Sequence, residues 1–386
     1  MTPGARVAAA IEVLHDMSDG LAAEQALTRW ARRSRFAGSK DRAAIRDHVF
    51  DVLRCKRTAA HYGSGGTPRA LMIGILRQQG ADLDALFSAV GHAPQPITEA
   101  EAKVPMPPED EATLWNLPDW LIPLFKEALG DDADKTALAL QERAPVFLRV
   151  NIAKSDRAAA IKHLAGEGIT AEANPLCDTA LTVTEGARKI RNSTAYVEGL
   201  VELQDGASQA VVAALPAGAK ILDYCAGGGG KALAVAAQPD RSVYAHDIDP
   251  RRMADLTGRA ERAGAQVTQL TTEALQAAAP FDVVLCDAPC SGSGAWRRAA
   301  EGKWTLTAAR LAELTVIQDG ILDSAAALLH ENGTLAYATC SVLTAENEDR
   351  VAAFLERHPG WSCNLQQRYA VGPTGDGFFA AHLRRD

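Results

Sequence analysis

Two thiols and one carboxylate stand where this sequence is equipped to do chemistry. The stretch Phe281-Asp-Val-Val-Leu-Cys-Asp287-Ala-Pro-Cys290-Ser-Gly-Ser-Gly294 is a short apolar run ending in an acid, a proline and a thiol, followed by a flexible Ser/Gly turn. A second run, Tyr337-Ala-Thr339-Cys340-Ser341, also ends in a thiol. Unbroken apolar strands belong to parallel sheets covered on both faces, and such sheets meet their ligands at the strands' carboxyl ends. Asp287, Cys290 and Cys340 are therefore expected at one cleft. A thiolate there is a nucleophile, and a carboxylate beside it can grip a polar substrate edge. Spacing alone leaves open which thiol attacks, and whether either does more than fill space.

The third feature is Asp223-Tyr-Cys225-Ala226-Gly227-Gly228-Gly229-Gly230-Lys231, a loop joining a strand to a helix. Glycines let the backbone turn sharply and approach a ligand closely. Asp247 follows at the end of the next strand, about twenty positions on, where a carboxylate receives the hydroxyls of an adenosine ribose. Asp249 is the second choice for that role. The loop is not Gly-x-Gly-x-x-Gly, and Ala232 after Lys231 removes the phosphate-loop ending. A nucleoside without a pyrophosphate suits it better; S-adenosylmethionine is one. A nicotinamide dehydrogenase is disfavoured for the same reason.

The elements that must position these residues read as strand and helix in alternation from Asp205 onward. Ile221–Cys225, Ser242–Asp247, Gln266–Leu270, Phe281–Cys286 and Gly333–Thr339 are the expected strands, with a long helix running through Leu329. That alternation predicts a doubly wound parallel α/β sheet. Before it, Val146–Val150 and Ala180–Thr184 flank a helical stretch at Arg157–Leu164, which fits a small α+β module. A proline- and charge-rich segment from His92 to Glu111 reads as an extended linker. A helix is expected from Trp115, with Pro118 at an early position. The first hundred residues carry helical spacing, as in Val7, Ala10, Ile11 and Leu14. The expected domains are 1–95, helical; 96–112, linker; 113–204, small α+β module; and 205–386, the catalytic domain.

The 386 residues, 47% hydrophobic, are enough for two or three domains with full cores. No run approaches the roughly 20 apolar residues of a membrane span, and the first residues have no signal-peptide character. A cytoplasmic, monomeric protein is expected. The seven cysteines have neither disulfide-framework nor zinc-site spacing. Free thiols and no metal follow, with Cys55, Cys177, Cys286 and Cys363 expected as small buried hydrophobes. The net charge is −8, yet between Arg29 and Arg57 ten basic residues face three acids. That patch is either a solvated helical face or a phosphate-contacting surface.

The glycine loop, Asp287-Ala-Pro-Cys-Ser-Gly-Ser-Gly294, Lys303-Trp304 and Ala338-Thr-Cys-Ser-Val342 with Glu346-Asn347 resemble the motifs of the NOL1/NOP2/Sun RNA cytosine-5 methyltransferases. Within that family the likeness is to the bacterial 16S ribosomal RNA methyltransferase B group. It extends to Asp41-Arg42 and Val52-Leu53-Arg54, similar to a NusB-like RNA-binding domain, to Phe147-Leu-Arg-Val-Asn151 of a small module, and to Asp376-Gly-Phe-Phe-Ala380 of a last strand. The resemblance implies a Rossmann-like methyltransferase domain, S-adenosylmethionine as cofactor, and 16S rRNA as partner. It assigns the nucleophile to Cys340 and assistance of its release to Cys290, although the Pro-Cys thiol is the nucleophile in DNA cytosine-5 methyltransferases. Asp287 is placed to hold the base edge, as an acceptor or, if protonated, as a donor. Lys231 and Lys303 are candidates to supply positive field, and the target base must be single-stranded or flipped.

This chain departs from the family pattern in three places. Gly227 and Gly228 replace Ala-Pro in the loop. Leu270-Thr271-Thr272 replaces a Gly-Asp pair that faces the adenine, leaving Thr271 or Glu273 to substitute. Arg297-Arg298-Ala-Ala-Glu301-Gly302 replaces an Arg-x-His-Pro-Asp-like run. Two rival readings remain: the same chemistry on transfer RNA, and a non-catalytic RNA-binding or assembly factor on a methyltransferase fold.

Overall fold

The structure, a computed structural model, describes residues 1–386 and divides into two compact units. The first unit holds Met1–Lys126, Gly130–Arg143 and Trp296–Thr305. Its main helices are α1 (Pro3–Ser18), α2 (Ala23–Arg33), α3 (Ser39–Arg54), α4 (Lys56–Tyr62) and α5 (Pro68–Gln78). Two of them begin with the same signal, Thr then Pro: the Thr2 and Thr67 hydroxyls accept from the third residue on, and proline occupies the first helical position, where no N–H is needed. Their apolar stripes meet in one core that includes Val7, Val13, Trp30, Ile45, Val49, Met72 and Ile73.

This unit reaches well past residue 95. The expected linker is fastened to α5: Arg69 pairs with Glu101 at 2.7 Å and donates to the Gln95 and Pro96 carbonyls, and Arg77 donates to the Glu101 carbonyl. The helix expected from Trp115 begins later: Asn116 turns left-handed at φ 53° and ends the helix Glu111–Trp115, and helical structure resumes at Asp119 with Pro118 as its N-cap. The Asn116 side chain accepts from the Arg57 and Thr58 N–H groups, so it caps α4 across a long stretch of sequence. A boundary at residue 112 therefore falls inside the helical unit.

The second unit contains two sheets. The smaller is antiparallel, in the order β2-β3-β1-β4, from β1 (Val146–Val150), β2 (Thr170–Ala173), β3 (Ala180–Glu185) and β4 (Val201–Leu203). The larger has seven strands: β5 (Lys220–Asp223), β6 (Ser242–Ala245), β7 (Val267–Gln269), β8 (Phe281–Asp287), β9 (Leu329–Thr339), β10 (Trp361–Tyr369) and β11 (Phe378–Arg385). Their order is β10-β11-β9-β8-β5-β6-β7, with β5 to β9 parallel and the last two strands antiparallel. Order reverses between β5 and β8, the switch point at which an open α/β sheet forms its crevice.

The unbroken apolar runs have the expected cause. Val283, Leu285, Ala336 and Ala338 face one core, while Val284, Cys286, Leu335 and Tyr337 face the other. Of the four cysteines expected as buried hydrophobes, Cys286 alone is fully buried; Cys55, Cys177 and Cys363 are half-buried, and every cysteine is free. No helix is long and apolar enough to cross a membrane.

Candidate active site

Parallel pairing of β8 with β9 sets Cys286 beside Tyr337 and Asp287 beside Ala338, so both strands stop together. The loops that follow bring the two thiols to 3.5 Å, sulfur to sulfur. Both are half-buried. Hydrogen bonding to Cys340 and burial push the Cys290 thiol well above its ordinary value. A thiol raised in this way favours its protonated form, and Cys290 can hydrogen-bond the sulfur of Cys340.

What fixes this distance is a residue quoted in sequence only as part of a motif. Glu346 is fully buried, and its carboxylate accepts from the Ser291 N–H at 2.7 Å, the Ser291 hydroxyl at 2.5 Å and the Ser341 hydroxyl at 2.6 Å. Gln318 adds a fourth donor at 3.2 Å. Ser291 and Ser341 each directly follow a cysteine, so one carboxylate ties both thiol loops. Asn347 completes the tie by accepting from the Thr339 hydroxyl at 2.5 Å and donating to the Ser341 carbonyl at 3.0 Å.

Asp287 does not stand alone. Lys231 Nζ lies 2.5 Å from its Oδ2. Burial works against the Lys231 ammonium, but the charges of Asp287 and Asp223 outweigh it and raise its proton affinity. Asp287 is thus the acidic partner of an ion pair, with Lys231 as its hydrogen-bond donor.

The glycine loop leaves β5 and enters the helix Gly230–Ala236. Gly227 and Gly229 have φ of +50° and +76°, a region L side chains rarely adopt. At Gly229 an added Cβ would lie 2.2 Å from the Leu256 side chain, so only glycine fits. Asp247, two residues beyond β6, accepts from the Gly227 N–H at 3.0 Å and pairs with Arg252 at 3.1 Å. In this state its carboxylate braces the loop. Asp249 caps its own turn through Arg251. Thr271 and Glu273 lie exposed just beyond β7.

The small sheet braces the same loop from below. Arg149 of β1 donates to the Gly230 carbonyl at 2.6 Å, and Arg259 donates to that of Gly228. Glu202 of β4 holds Arg259 and Arg262. Asn151 donates to the Ala263 carbonyl at 2.8 Å. Arg149 of the Phe147–Asn151 motif thus holds the glycine loop from a separate sheet.

Two candidate site residues were not legible in the sequence. Asp223, the last residue of β5, is 2% exposed, and neither carboxylate oxygen has a partner. Burial and the nearby Asp287 charge push its pKa up to about 7. A buried acid without a donor calls for an explanation, and this one stands directly before the glycine loop. Its signal was its place, a carboxylate ending the strand before the glycines. Ile248, after Asp247, is the second: it is 79% exposed and offers an apolar face at the same loop.

Lys303 is not at this site. It belongs to the helical unit, is fully buried, and donates to the Arg54 carbonyl at the end of α3 at 2.7 Å. Trp304 donates to the Leu53 carbonyl beside it, and Glu301 caps α2 by accepting from the Ala23 N–H at 3.1 Å. Half of the basic patch is also consumed. Arg29 and Arg33 pair with Asp16, Arg46 with Glu24, Arg54 with Asp51 and Arg57 with Asp119.

Residues 210–384 match the family described as 16S rRNA methyltransferase RsmB/F, and residues 117–189 match its RsmF/B-like ferredoxin-like domain. The chain is 34% identical over 282 residues to the ribosomal RNA small subunit methyltransferases B of Salmonella agona and Salmonella typhi. These matches take in 69% of this chain and 66% of the relatives, so the chain spans just under two thirds of the length of the curated relatives it matches. Among solved structures, that of PH0851 is similar over 100% of this chain and 99% of its own, with a TM-score of 0.77 at 23% identity. NSun6 from Pyrococcus horikoshii, solved with SFG, is similar over 70% of this chain and 99% of its own, with a TM-score of 0.61 at 18% identity. Both share its α/β methyltransferase fold. With two family-specific domains matched in order, this chain belongs to the RsmB/F methyltransferase family.

Proposed function

We propose that this protein uses S-adenosylmethionine to methylate C5 of a cytosine in RNA, with 16S rRNA as the substrate, through a covalent Cys340–C6 adduct. The observation that carries this reading is the pair of thiols 3.5 Å apart at adjacent strand ends, beside the Asp287–Lys231 ion pair. Family membership and the curated relatives, named ribosomal RNA small subunit methyltransferases, support the substrate.

The residues present fit the cofactor. The unpartnered Asp223 carboxylate suits the ammonium of its amino-acid end, the glycine loop admits close backbone approach, and Ile248 offers a surface for the purine. Asp247 would exchange its brace on Gly227 for the ribose hydroxyls. The bound cofactor supplies an electrophilic methyl group.

The chain's own groups explain how an unreactive carbon is made to attack. Cytosine C5 is a poor nucleophile until a thiolate adds to C6 and turns the ring into an enamine. Cys340 is the thiol assigned to that addition. Asp287 accepts from the N4 amine of the base, and Lys231 balances its charge. After C5 has gained its methyl group, a base takes the C5 proton, the C5–C6 double bond re-forms, and the electrons of the S–C6 bond return to Cys340. Cys290, still protonated, hydrogen-bonds the departing sulfur.

The test is asymmetric. With tritiated cofactor and 16S rRNA, Cys340→Ala should lose both methyl transfer and the covalent RNA adduct. Cys290→Ala should lose turnover but accumulate an adduct that survives denaturation. Turnover in Cys340→Ala would overturn the assignment, and mapping the product by bisulfite sequencing separates ribosomal from transfer RNA.

A further inference from the structure

The loop between α2 and α3, residues 34–38, exposes Phe36 to 77%. A phenyl ring in solvent is unfavourable, and the loop is not free to tuck it away. Ser34 and Ala37 on either side are buried, the Ala37 N–H donates to the Ser34 carbonyl at 3.0 Å, and Arg42 donates to the Ala37 carbonyl at 3.0 Å. The ring is held outward.

Its neighbours are the cations that the ion-pair network leaves over. Arg29, Arg33 and Arg46 are matched by acids, but Arg32, Arg35 and Lys40 stand exposed without an ion pair. Arg32 also lines a groove of about 770 Å³ along α2, with Gln25, Thr28, Arg29 and Arg33; its one acid, Glu24, is held by Arg46. An aromatic platform among unmatched cations, at the end of a polar groove, complements a ligand that is both anionic and planar. A protein side chain would satisfy the ring and leave the three charges unanswered.

We infer that Phe36 is a stacking platform for an unpaired base of single-stranded RNA, with Arg32, Arg35 and Lys40 contacting the phosphates beside it. Stacking on a phenyl ring is tolerant of sequence, and phosphate contacts are strongly salt-dependent. This contact lies in the helical unit, so it concerns how RNA is held and not which base is methylated. It rests on the RNA reading given above.

The test uses the full chain and a fluorescein-labelled single-stranded 12-mer RNA of mixed sequence, followed by anisotropy across a salt series. Phe36→Ala should weaken binding about tenfold, within the range for loss of one base stack. Phe36→Trp should retain it and Phe36→Leu should not. Replacing Arg32, Arg35 and Lys40 with Ala should reduce the slope of log K against log salt by about 2, at roughly 0.7 per phosphate. An RNA carrying 5-iodouridine should photo-crosslink to Phe36. Wild-type affinity in Phe36→Ala, or Leu serving as well as Trp, overturns the inference; the latter points to a protein pocket. If the wild-type chain binds no RNA at all, the substrate reading fails with it. Equal thermal melting of the variants shows that the fold is unaffected.

Discussion

Lys231 and Lys303 are the same residue, equally enclosed, in different units, and the structure gives them opposite electrostatics. Lys231 faces the carboxylates of Asp287 and Asp223 and holds its proton more tightly than usual. Lys303 has a backbone carbonyl as its acceptor and Arg54 beside it; burial lowers its pKa to about 7. Enclosure alone therefore says little about function. Partners decide whether a buried charge is site chemistry or a cap on a helix end.

The largest break in this comparison should come from Lys231→Met. It leaves the buried Asp223 and the half-buried Asp287 without a counter-charge, so the second unit should lose about 3 kcal/mol in urea unfolding. Methyl transfer should fall at least a hundredfold. Asp223→Asn tests the other side of the same pair. Asp223 has a folded pKa near 7 against 3.8 for an ordinary acid, so between those values the folded state keeps a proton that the unfolded chain releases. Stability of the cofactor-free protein should fall as pH rises from about 4 to 7, and the Asn variant should abolish that fall. The same variant should weaken S-adenosylmethionine about tenfold by calorimetry, the loss of one charged partner.

Glu346→Gln should lower kcat about tenfold with little change in KM for RNA, since it loosens the thiol loops and leaves the RNA contacts in place. Restoration of the rate by Glu346→Asp with an unchanged melt would refute a positioning role, because the shorter side chain cannot reach both serines. The smallest effect is expected from Lys303→Met, which changes ambient stability by about 1 kcal/mol and leaves methyl transfer intact. It sharpens the contrast through pH. Between about 7 and 10.5 the unfolded chain binds a proton that folded Lys303 does not, so wild-type stability gains with rising pH there, and the variant should lose that gain. Lys231 has the reverse sign: its contribution is complete below 10.5 and disappears at higher pH.

Much of the second unit was readable because its candidate site is local to strand ends. The runs ending at Asp287 and Thr339 announced buried parallel strands, and the residues just beyond them meet as expected. The strands flanking the glycine loop end earlier than expected, at Asp223 and Ala245, because the chain turns there into the loops that hold Cys225 and Asp247. What could not be read depends on partners far away in sequence. The ten-to-three basic excess looked like surface until Asp16, Glu24 and Asp119, from outside the segment, were found against it. Lys303 seemed to belong near Cys290, thirteen positions before it in the sequence, yet its ammonium caps a helix formed by residues 39–54. The proline-rich segment had linker composition, and only the Arg69 and Arg77 side chains reveal that it is tied down.

The residence of Trp296–Thr305 in the helical unit has a consequence for how the protein is made. Ala300 and Trp304 pack in the core formed by the first helices, and Glu301 supplies the cap of α2. During synthesis, residues 1–143 emerge early but lack these pieces until residue 305 has left the ribosome. Domains commonly fold from the N-terminus as they appear. Here the first unit in the chain is completed only after β1 to β8 of the second have been translated.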